Sequence, residues 1–345
     1  MINIGIIGCG KIAQIRHIPE YLENPDVALR GFYDINTERA RELAEKYKGK
    51  AYASYEELLM DTSIDAVSVC VANYAHAEVS IAALNAGKHV LCEKPMAISL
   101  QECLDMVSAA EKNKRYLMIG QNQRLTKAHV TAKRLMKQGA IGKPLLFRMT
   151  FGHGGPEMWS VDTGKSTWFF DPKRAAMGAM ADLGVHKTDL VHYLFDGTIV
   201  EVTANIATLD KRDAEGNLIG LDDNGICICK LDNGIMGTVA VSWTFYGQED
   251  NSTIIYGTEG TMRIYDDPEY AIILWRKGGE EIKYKLDKIQ TNDNQTKSGV
   301  IDEFVEALKE DRDPVASGKE VLKSMRAVFA CIESSDLGQT VKVNQ

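Results

Sequence analysis

Short apolar runs alternate with segments of helical periodicity over the first third of the chain. Four apolar runs are predicted strands: INIGIIG, VALRGFYD, AVSVCV and HVLCEK, which begin at Ile2, Val27, Ala66 and His89. Helical spacing of apolar residues is found in residues 12–22 and 37–47, in AEVSIAALNAG, and in LQECLDMVSAAEKN with Ser99 as its expected N-cap. Strands separated by helices of this length are typical of an α/β domain with a doubly wound parallel sheet.

Longer runs of alternating apolar and polar residues begin at Leu145. The runs ICICKL and IMGTVAVSW flank a turn at Asn233–Gly234, and STIIYGTEGTMRIY folds back between Gly257 and Gly260. Residues 301–308 and 321–333 return to helical spacing. The second part of the chain is therefore predicted to be an α+β domain with a large, mainly antiparallel open sheet. Because helices on one face leave the other face uncovered, we expect a homodimer or homotetramer that forms through this domain.

Length and charge narrow the class of protein. A chain of 345 residues is long enough for two domains, which we predict at 1–121 and 122–345. The net charge of -8, with acids and bases interspersed, provides no basic stripe for nucleic acid. The chain opens on an apolar strand, without a signal peptide or an apolar run long enough for a bilayer. We therefore expect a cytoplasmic protein that does not bind membranes.

The cysteines favour a reduced protein. There are seven, scattered along the sequence, and an odd number fits buried thiols better than a disulfide framework. Cys227 and Cys229 form a C-x-C pair, but they lie in an alternating strand with no second ligand pair nearby. Core packing is therefore preferred over a metal site, and no metal is predicted.

A glycine-rich turn follows the first predicted strand. Gly8-Cys-Gly10-Lys-Ile-Ala13 has the G-x-G-x-x-A form of a dinucleotide-binding Rossmann fingerprint, in the required place between a strand and a helix. Alone it is equally a tight strand-to-helix turn, but Asp34 ends the second strand at the position that recognises a ribose. A carboxylate there accepts hydrogen bonds from ribose hydroxyls and repels a 2′-phosphate. We predict NAD as cofactor, with NADP also possible because Arg39 is near.

Two further segments carry residues suited to catalysis. In HVLCEKPM, Pro95 places Lys94 where the chain leaves the sheet, although a solvated charge pair is the favoured interpretation of these residues alone. Asp182 and His186 are four residues apart, so a helix would place them on one face, as a carboxylate that orients a general base. A helix with an ordinary polar side explains that spacing equally well. His89 and His192 lack such a partner and are interpreted as structural.

Four segments together resemble the glucose-fructose oxidoreductase and inositol dehydrogenase family, Gfo/Idh/MocA. They are the glycine fingerprint, HAEVSIAALNAGKHVLCEKP, WFFDPKRAAMGAMADLGVHKTDL and YGTEGTM, and the resemblance extends over essentially the whole chain. One departure is visible, because members of the family often have three glycines where this chain has Ala176-Met-Gly178. The departure concerns the local backbone and the substrate pocket more than the chemistry.

The resemblance implies roles for individual residues. Lys94, Asp182 and His186 are the implied catalytic residues. His186 is the base and Asp182 is its orienting partner. Lys94, held by Glu93 and Pro95, is the stabiliser of the developing alkoxide and a candidate proton relay. Predicted cofactor contacts are Gly8, Gly10, Lys11, Ile12, Ala13, Asp34, Asn73, His76, Glu93, Lys94 and Asn122. Predicted substrate contacts are Lys94, Arg124, Trp168, Asp182, His186 and Tyr246, with His153 as a further pocket candidate.

The predicted function is hydride transfer between nicotinamide and a secondary alcohol of a sugar, cyclitol or related polyol. Two alternatives share the fold: an enzyme that uses a tightly held nicotinamide during glycoside cleavage or epimerisation, and a sensor without turnover. The lysine, aspartate and histidine argue against a sensor. Formation of reduced nicotinamide with any polyol would distinguish turnover from sensing.

Overall fold

The structure is a computed structural model that describes residues 1–160, 163–288 and 297–344 of the chain. The described residues form two compact units. The first contains residues 1–121, 173–175 and 297–322, and the second contains residues 122–160, 163–172, 176–288 and 323–344. This division differs from the predicted boundary, because the chain returns to the first unit near its end. There, Glu20 accepts a hydrogen bond from the backbone N–H of Ser298 at 2.9 Å.

The first unit is built on a six-stranded parallel sheet in the order β3-β2-β1-β4-β5-β6. Its strands are β1 Ile2–Ile7, β2 Val27–Tyr33, β3 Lys50–Ala51, β4 Ala66–Val69, β5 His89–Cys92 and β6 Leu117–Ile119. The order reverses direction between β1 and β4, which is the doubly wound arrangement predicted from the sequence. The predicted fold class of this part is confirmed.

Helices connect these strands. They are α1 Ile18–Glu23, α2 Thr37–Tyr47, α3 Tyr55–Met60, α4 His76–Asn85 and α5 Leu100–Asn113, with a π-helical turn at Ala13–His17 before α1. The predicted cap of α5 is present as a capping box. Ser99 Oγ accepts from the Glu102 N–H at 3.2 Å, and the Glu102 carboxylate accepts from the Ser99 N–H at 3.1 Å. Later in the chain, α9 spans Val300–Glu310 and α10 spans Gly318–Leu337.

The second unit contains a nine-stranded sheet in the order β14-β13-β12-β11-β7-β10-β9-β8-β15. Its strands are β7 Pro144–Gly152, β8 Ile199–Ala207, β9 Asn224–Leu231, β10 Met236–Ser242, β11 Thr253–Gly257, β12 Gly260–Ile264, β13 Ile272–Arg276, β14 Glu281–Tyr284 and β15 Val341–Lys342. All neighbours pair antiparallel except β7 and β10, which are parallel. The predicted open, mainly antiparallel sheet is confirmed. Helices α6 Lys127–Lys137 and α8 Val185–Phe195 belong to this unit, whereas three of the four residues of α7, Pro172–Ala175, belong to the first.

Strand β9 shows how the sheet divides its two faces. Its residues alternate between buried and exposed: Cys227 and Cys229 point into the core, whereas Ile226 and Ile228 are exposed. All seven cysteines of the chain are buried and unpaired with one another. Among the described residues, no helix combines the length and apolar character needed to cross a bilayer.

Candidate active site

The turn after β1 has the shape that a pyrophosphate requires. Gly8 has φ +93°, and a Cβ there would lie 2.5 Å from the carbonyl of Cys70, so only glycine fits. A Cβ at Gly10, in contrast, would meet no heavy atom of the described residues within 4 Å, so that backbone faces open space. Ala13 is fully buried where the helix begins. The open backbone beside a helix N-terminus fits a dinucleotide phosphate, flanked by Lys11 and Ile12.

Asp34 lies directly after β2 with its carboxylate fixed by backbone amides. Oδ2 accepts from the Cys9 N–H at 2.7 Å and Oδ1 accepts from the Asn36 N–H at 2.8 Å. The Arg39 guanidinium is 3.7 Å from Oδ1. Each carboxylate oxygen has a second lone pair, so the side chain retains the capacity to accept hydrogen bonds from two ribose hydroxyls. This geometry fits NAD.

Lys94 follows the end of β5, and its surroundings are polar and buried. The Lys94 N–H donates to Glu93 Oε2 at 3.2 Å. Glu93 Oε1 accepts from His17 Nε2 at 2.9 Å and from Arg16 Nη1 at 3.2 Å. Burial alone would raise the pKa of Glu93, but the His17 hydrogen bond and the nearby charges hold this pKa well below its usual value. Glu93 is therefore a buried carboxylate anion next to Lys94.

The two predicted cofactor contacts on the β4–α4 connection hold local backbone. Asn73 Nδ2 donates to the Ala175 carbonyl at 3.0 Å. His76 Nδ1 lies 2.6 Å from the Pro95 carbonyl, and its Nε2 lies 3.1 Å from the Val71 carbonyl. Burial lowers the pKa of His76. The His76 contact with Pro95 supports the chain directly after Lys94. Cofactor binding by Asn73 and His76 stays a prediction.

In the second unit, Asp182 lies in a π-helical turn, Met180–Gly184, that leads into α8. A π turn has more residues than an α turn, so the spacing of four to His186 does not by itself place the two side chains together. Asp182 Oδ2 accepts from the Trp243 indole N–H at 3.0 Å and lies 3.8 Å from His153 Nε2. His186 stands beside Phe151, with ring centroids 5.9 Å apart.

His153, a pocket candidate in the sequence, lies beside Asp182. Its Nδ1 accepts a hydrogen bond from the Gly155 N–H at 3.0 Å, so the proton of a neutral ring is on Nε2, which faces Asp182. His153 follows β7 and Trp243 follows β10, the two parallel strands of the sheet. No local pattern in the sequence brings these positions to Asp182, because His153 is 29 positions and Trp243 is 61 positions away from Asp182 along the chain.

The start of the helix that carries Asp182 is held by a residue that the sequence reasoning missed. Asp222 accepts from the N–H groups of Gly178 and Met180, both at 2.7 Å. A Cβ on Gly178 would lie 1.8 Å from the Asp222 carbonyl oxygen, so this position requires glycine. Ala176 has φ +64°, a left-handed conformation that glycine adopts more easily. The backbone therefore keeps a shape suited to glycine despite the Ala176-Met-Gly178 departure.

The remaining predicted site residues have varied surroundings. Arg124 is buried and forms a two-pronged ion pair with Asp189 of α8, in which Nε lies 2.8 Å from Oδ2. Tyr246 is 62% exposed, and its hydroxyl donates to Asp210. Trp168 stacks on Phe169, with centroids 4.0 Å apart.

Asn122 is the first residue of the second unit. Its Oδ1 is buried, and no group in the described residues donates to it. A cofactor or a water would satisfy that oxygen. Binding of ligands by Asn122, Arg124, Trp168 and Tyr246 stays a prediction.

Comparisons with known proteins agree with this geometry. Residues 2–121 match the Gfo/Idh/MocA oxidoreductase family model, described as an NAD-binding Rossmann fold, and residues 129–263 match the C-terminal domain model of the same family. Levoglucosan dehydrogenase of Pseudarthrobacter phenanthrenivorans is 30% identical over 288 residues, which cover 76% of this chain and 73% of that enzyme. Myo-inositol 2-dehydrogenase of Thermotoga maritima is 26% identical over 344 residues, 99% of each chain.

Solved structures share the whole fold. A levoglucosan dehydrogenase complexed with NADH and L-sorbose superposes with a TM-score of 0.88 at 24% identity, covering 100% of this chain and 99% of the other. The predicted fold, the nicotinamide cofactor and the predicted enzyme class, an NAD-dependent dehydrogenase or reductase acting on CH–OH groups, are confirmed. The chain belongs to the Gfo/Idh/MocA family of NAD-dependent oxidoreductases.

Proposed function

We propose that this enzyme oxidises a secondary alcohol of a neutral sugar or cyclitol with NAD. The observation that carries the proposal is the buried Asp182 carboxylate, fixed by the Trp243 indole and faced by His153, on the turn that leads to His186. The relatives named above act on levoglucosan and on myo-inositol, which supports a polyhydroxylated substrate.

Residues 1–121 bind the cofactor in this proposal, through the Gly8–Ala13 turn, Asp34 and the residues around Lys94. Residues 122–345 bind the substrate and carry the surface for self-association. Bound nicotinamide supplies the acceptor for the hydride. His186 takes the hydroxyl proton, Asp182 stabilises the resulting imidazolium, and Lys94 stabilises the negative charge that develops on oxygen.

The charges around Asp182 favour a neutral substrate. The lysine of this region, Lys211, is already committed to an ion pair with Glu157 and to the Gly154 carbonyl. Arg212, on the same loop, is exposed and donates to the Gly216 carbonyl, and the acids Asp210, Asp222 and Asp223 are attached to these loops. An added phosphate or carboxylate would meet charges of its own sign. We therefore expect neutral polyols to be preferred over sugar phosphates and sugar acids.

The test is turnover of a panel of neutral polyols, sugar phosphates and sugar acids with NAD and NADP, followed by the absorbance of the reduced nicotinamide. Lys94→Ala and His186→Ala should each lower turnover by roughly a hundredfold or more, the usual scale for a positioned acid, base or electrostatic group. NAD affinity, measured by fluorescence titration, should change little. Lys143→Ala, which removes an exposed lysine, is the matched control.

Two results would contradict the proposal. No reduced nicotinamide with any polyol would contradict alcohol oxidation and favour a sensor or an internal redox cycle. A Lys94→Ala variant that keeps its turnover and loses NAD affinity would make Lys94 a cofactor contact only.

We also propose the cytoplasm as the cell compartment. All seven cysteines are reduced and buried, which suits the cytoplasm, where NAD is also available. The enzyme acts there as a homodimer or homotetramer.

A further inference from the structure

Polar side chains in the first unit form one hydrogen-bonded chain that ends on the backbone of Lys94. The Tyr21 hydroxyl lies 2.8 Å from Ser68 Oγ, and Ser68 Oγ lies 3.1 Å from His17 Nδ1. His17 Nε2 is 2.9 Å from Glu93 Oε1, and Glu93 Oε2 accepts from the Lys94 N–H at 3.2 Å. The chain therefore connects α1, β4 and the end of β5.

The direction of each hydrogen bond follows from the charge on Glu93. The ionised carboxylate can only accept, so His17 Nε2 donates to it and Nδ1 of a neutral ring accepts from the Ser68 hydroxyl. Ser68 in turn accepts from the Tyr21 hydroxyl, whose pKa is raised by burial so that it keeps its proton. In this arrangement each hydrogen bond of the chain has one donor and one acceptor.

Glu93 has little freedom to leave this arrangement. The side chains of His17, Ser68, Tyr21 and Glu93 are all buried. A Cβ on Gly120 would lie 3.0 Å from Glu93 Oε1, so the neighbouring strand end packs closely against the carboxylate. Without His17, the Glu93 carboxylate would lose one side-chain donor, while Arg16 Nη1 at 3.2 Å would remain. A buried carboxylate that loses a donor shifts or reorients, because desolvation of an unpaired charge is costly.

We propose that His17 is a positioning residue for Lys94: it orients the Glu93 carboxylate, which fixes the Lys94 backbone and places a negative charge beside its ammonium group. This inference rests on the proposed role of Lys94. His17 ends the π-helical turn that begins at Ala13 of the glycine fingerprint. The segment that carries the glycine fingerprint therefore also carries the side chain that supports the lysine.

The test compares variants at both ends of the hydrogen-bonded chain. His17→Leu removes the donor to Glu93, and we expect kcat to fall by about tenfold or more, since small displacements of a reacting group have effects of that size. The affinity for NAD should stay within about twofold of the native value on the same argument. His17→Gln keeps an amide N–H for Glu93 and should restore most of kcat. Tyr21→Phe breaks only the far end and is the matched control, with kcat near that of the native enzyme.

A second measurement reports on Lys94 without turnover. Lysines are reductively methylated with ¹³C-formaldehyde, and the Lys94 resonance is identified by its loss in Lys94→Arg. We expect this resonance to shift or broaden in His17→Leu and to return to its native position in His17→Gln. If His17→Leu fails to fold, Glu93→Gln, which removes the charge, replaces it in both measurements.

The outcomes separate this inference from the proposed function. Unchanged kcat in a folded His17→Leu variant, or a lower kcat with an unchanged Lys94 resonance, overturns the positioning role. A native protein that oxidises no polyol, but whose Lys94 resonance responds to His17, contradicts the proposed function and supports the positioning role. A resonance that does not respond overturns the inference whether or not the enzyme turns over.

Discussion

Asp34 illustrates how backbone N–H groups of other residues can fix a single side chain in place for a ligand. Its two oxygens are held by the N–H groups of Cys9 and Asn36, so little conformational entropy remains to be lost when a ribose is bound. The same fixed negative charge would repel the 2′-phosphate of NADP. Arg39, at 3.7 Å, is attracted to the carboxylate and is not free to act as a phosphate ligand while Asp34 is present.

Asp34→Ser should therefore weaken NAD and relax discrimination against NADP. We expect the ratio of kcat/KM values for NAD over NADP to fall by about tenfold or more, because repulsion is lost and Arg39 is released at the same time. Steady-state kinetics with both cofactors measures the ratio. Glu38→Ser, an exposed acid in the first turn of α2, is the control and should leave it unchanged. A native enzyme that already prefers NADP strongly would show that Asp34 does not select the cofactor.

Ala176 is a second residue at which the backbone conformation is important, here for the stability of the fold. At φ +64° its Cβ is crowded, and the left-handed conformation costs an L-residue about 1–2 kcal/mol. Ala176→Gly removes that strain but adds freedom to the unfolded chain, so we expect a net gain of about 0.5–1 kcal/mol. Chemical denaturation of the variant measures the gain. Ala214→Gly, at an exposed position outside the left-handed residues, should give no gain, and equal effects at both positions would show that Ala176 is unstrained.

At the scale of elements, local sequence signals predicted the helices and strands well, but they did not predict which distant strands pair with one another. The bounds of α2 and α5 follow from apolar spacing and from the Ser99 cap, and the β9–β10 hairpin follows from Asn233–Gly234. The parallel pairing of β7 with β10 joins residues 90 positions apart, from Leu146 to Met236, and has no local signal. The environment of Asp182 depends on that pairing, because His153 and Trp243 follow these two strands.

Helix α8 also contains a buried lysine that its sequence pattern does not predict. Lys187, next to His186, is fully buried, and its Nζ donates to the Asn251 carbonyl at 3.1 Å and lies 5.6 Å from the Phe151 ring centroid. Burial lowers the pKa of Lys187 to about 7, with Asp250 and Glu249 opposing the shift. The spacing of apolar residues in α8 predicts that one face of the helix is buried. Nothing in that pattern places Lys187 on the buried face.

Lys187 should make stability depend on pH. The unfolded lysine binds its proton up to about pH 10.5, whereas the folded one releases it near pH 7, so the unfolded state binds more protons between these values. The free energy of unfolding therefore gains a contribution that rises with pH over this window. Lys187→Met should lose this contribution. The free energy of unfolding of the variant, compared with that of the native protein, should therefore be highest at and below pH 7. Denaturation at several pH values measures it, with Lys143→Met as the exposed control; parallel pH curves for native protein and Lys187→Met would contradict the prediction.

At the scale of the whole molecule, the most conspicuous surface is the outer face of the nine-stranded sheet. Large apolar side chains on four of its strands are exposed: Ile226, Ile228, Met236, Leu146 and Trp275. Several are cross-strand neighbours, since Met236 pairs with Leu146 and Leu146 lies opposite Tyr256. Contiguous apolar surface of this kind is unusual on a monomer and is a hazard for aggregation unless another surface covers it.

We expect the native protein to sediment as a dimer or tetramer at micromolar concentration, with this sheet face buried between copies. Ile228→Glu should shift it towards monomer, because a two-fold interface contains every residue twice and so buries two new carboxylates for one substitution. Sedimentation velocity measures the shift. Leu337→Glu, which adds the same charge at an exposed apolar position at the end of α10, is the control and should leave the assembly intact. A native protein that sediments as a monomer would refute the assembly, and an Ile228→Glu variant that stays assembled would place the interface on another surface.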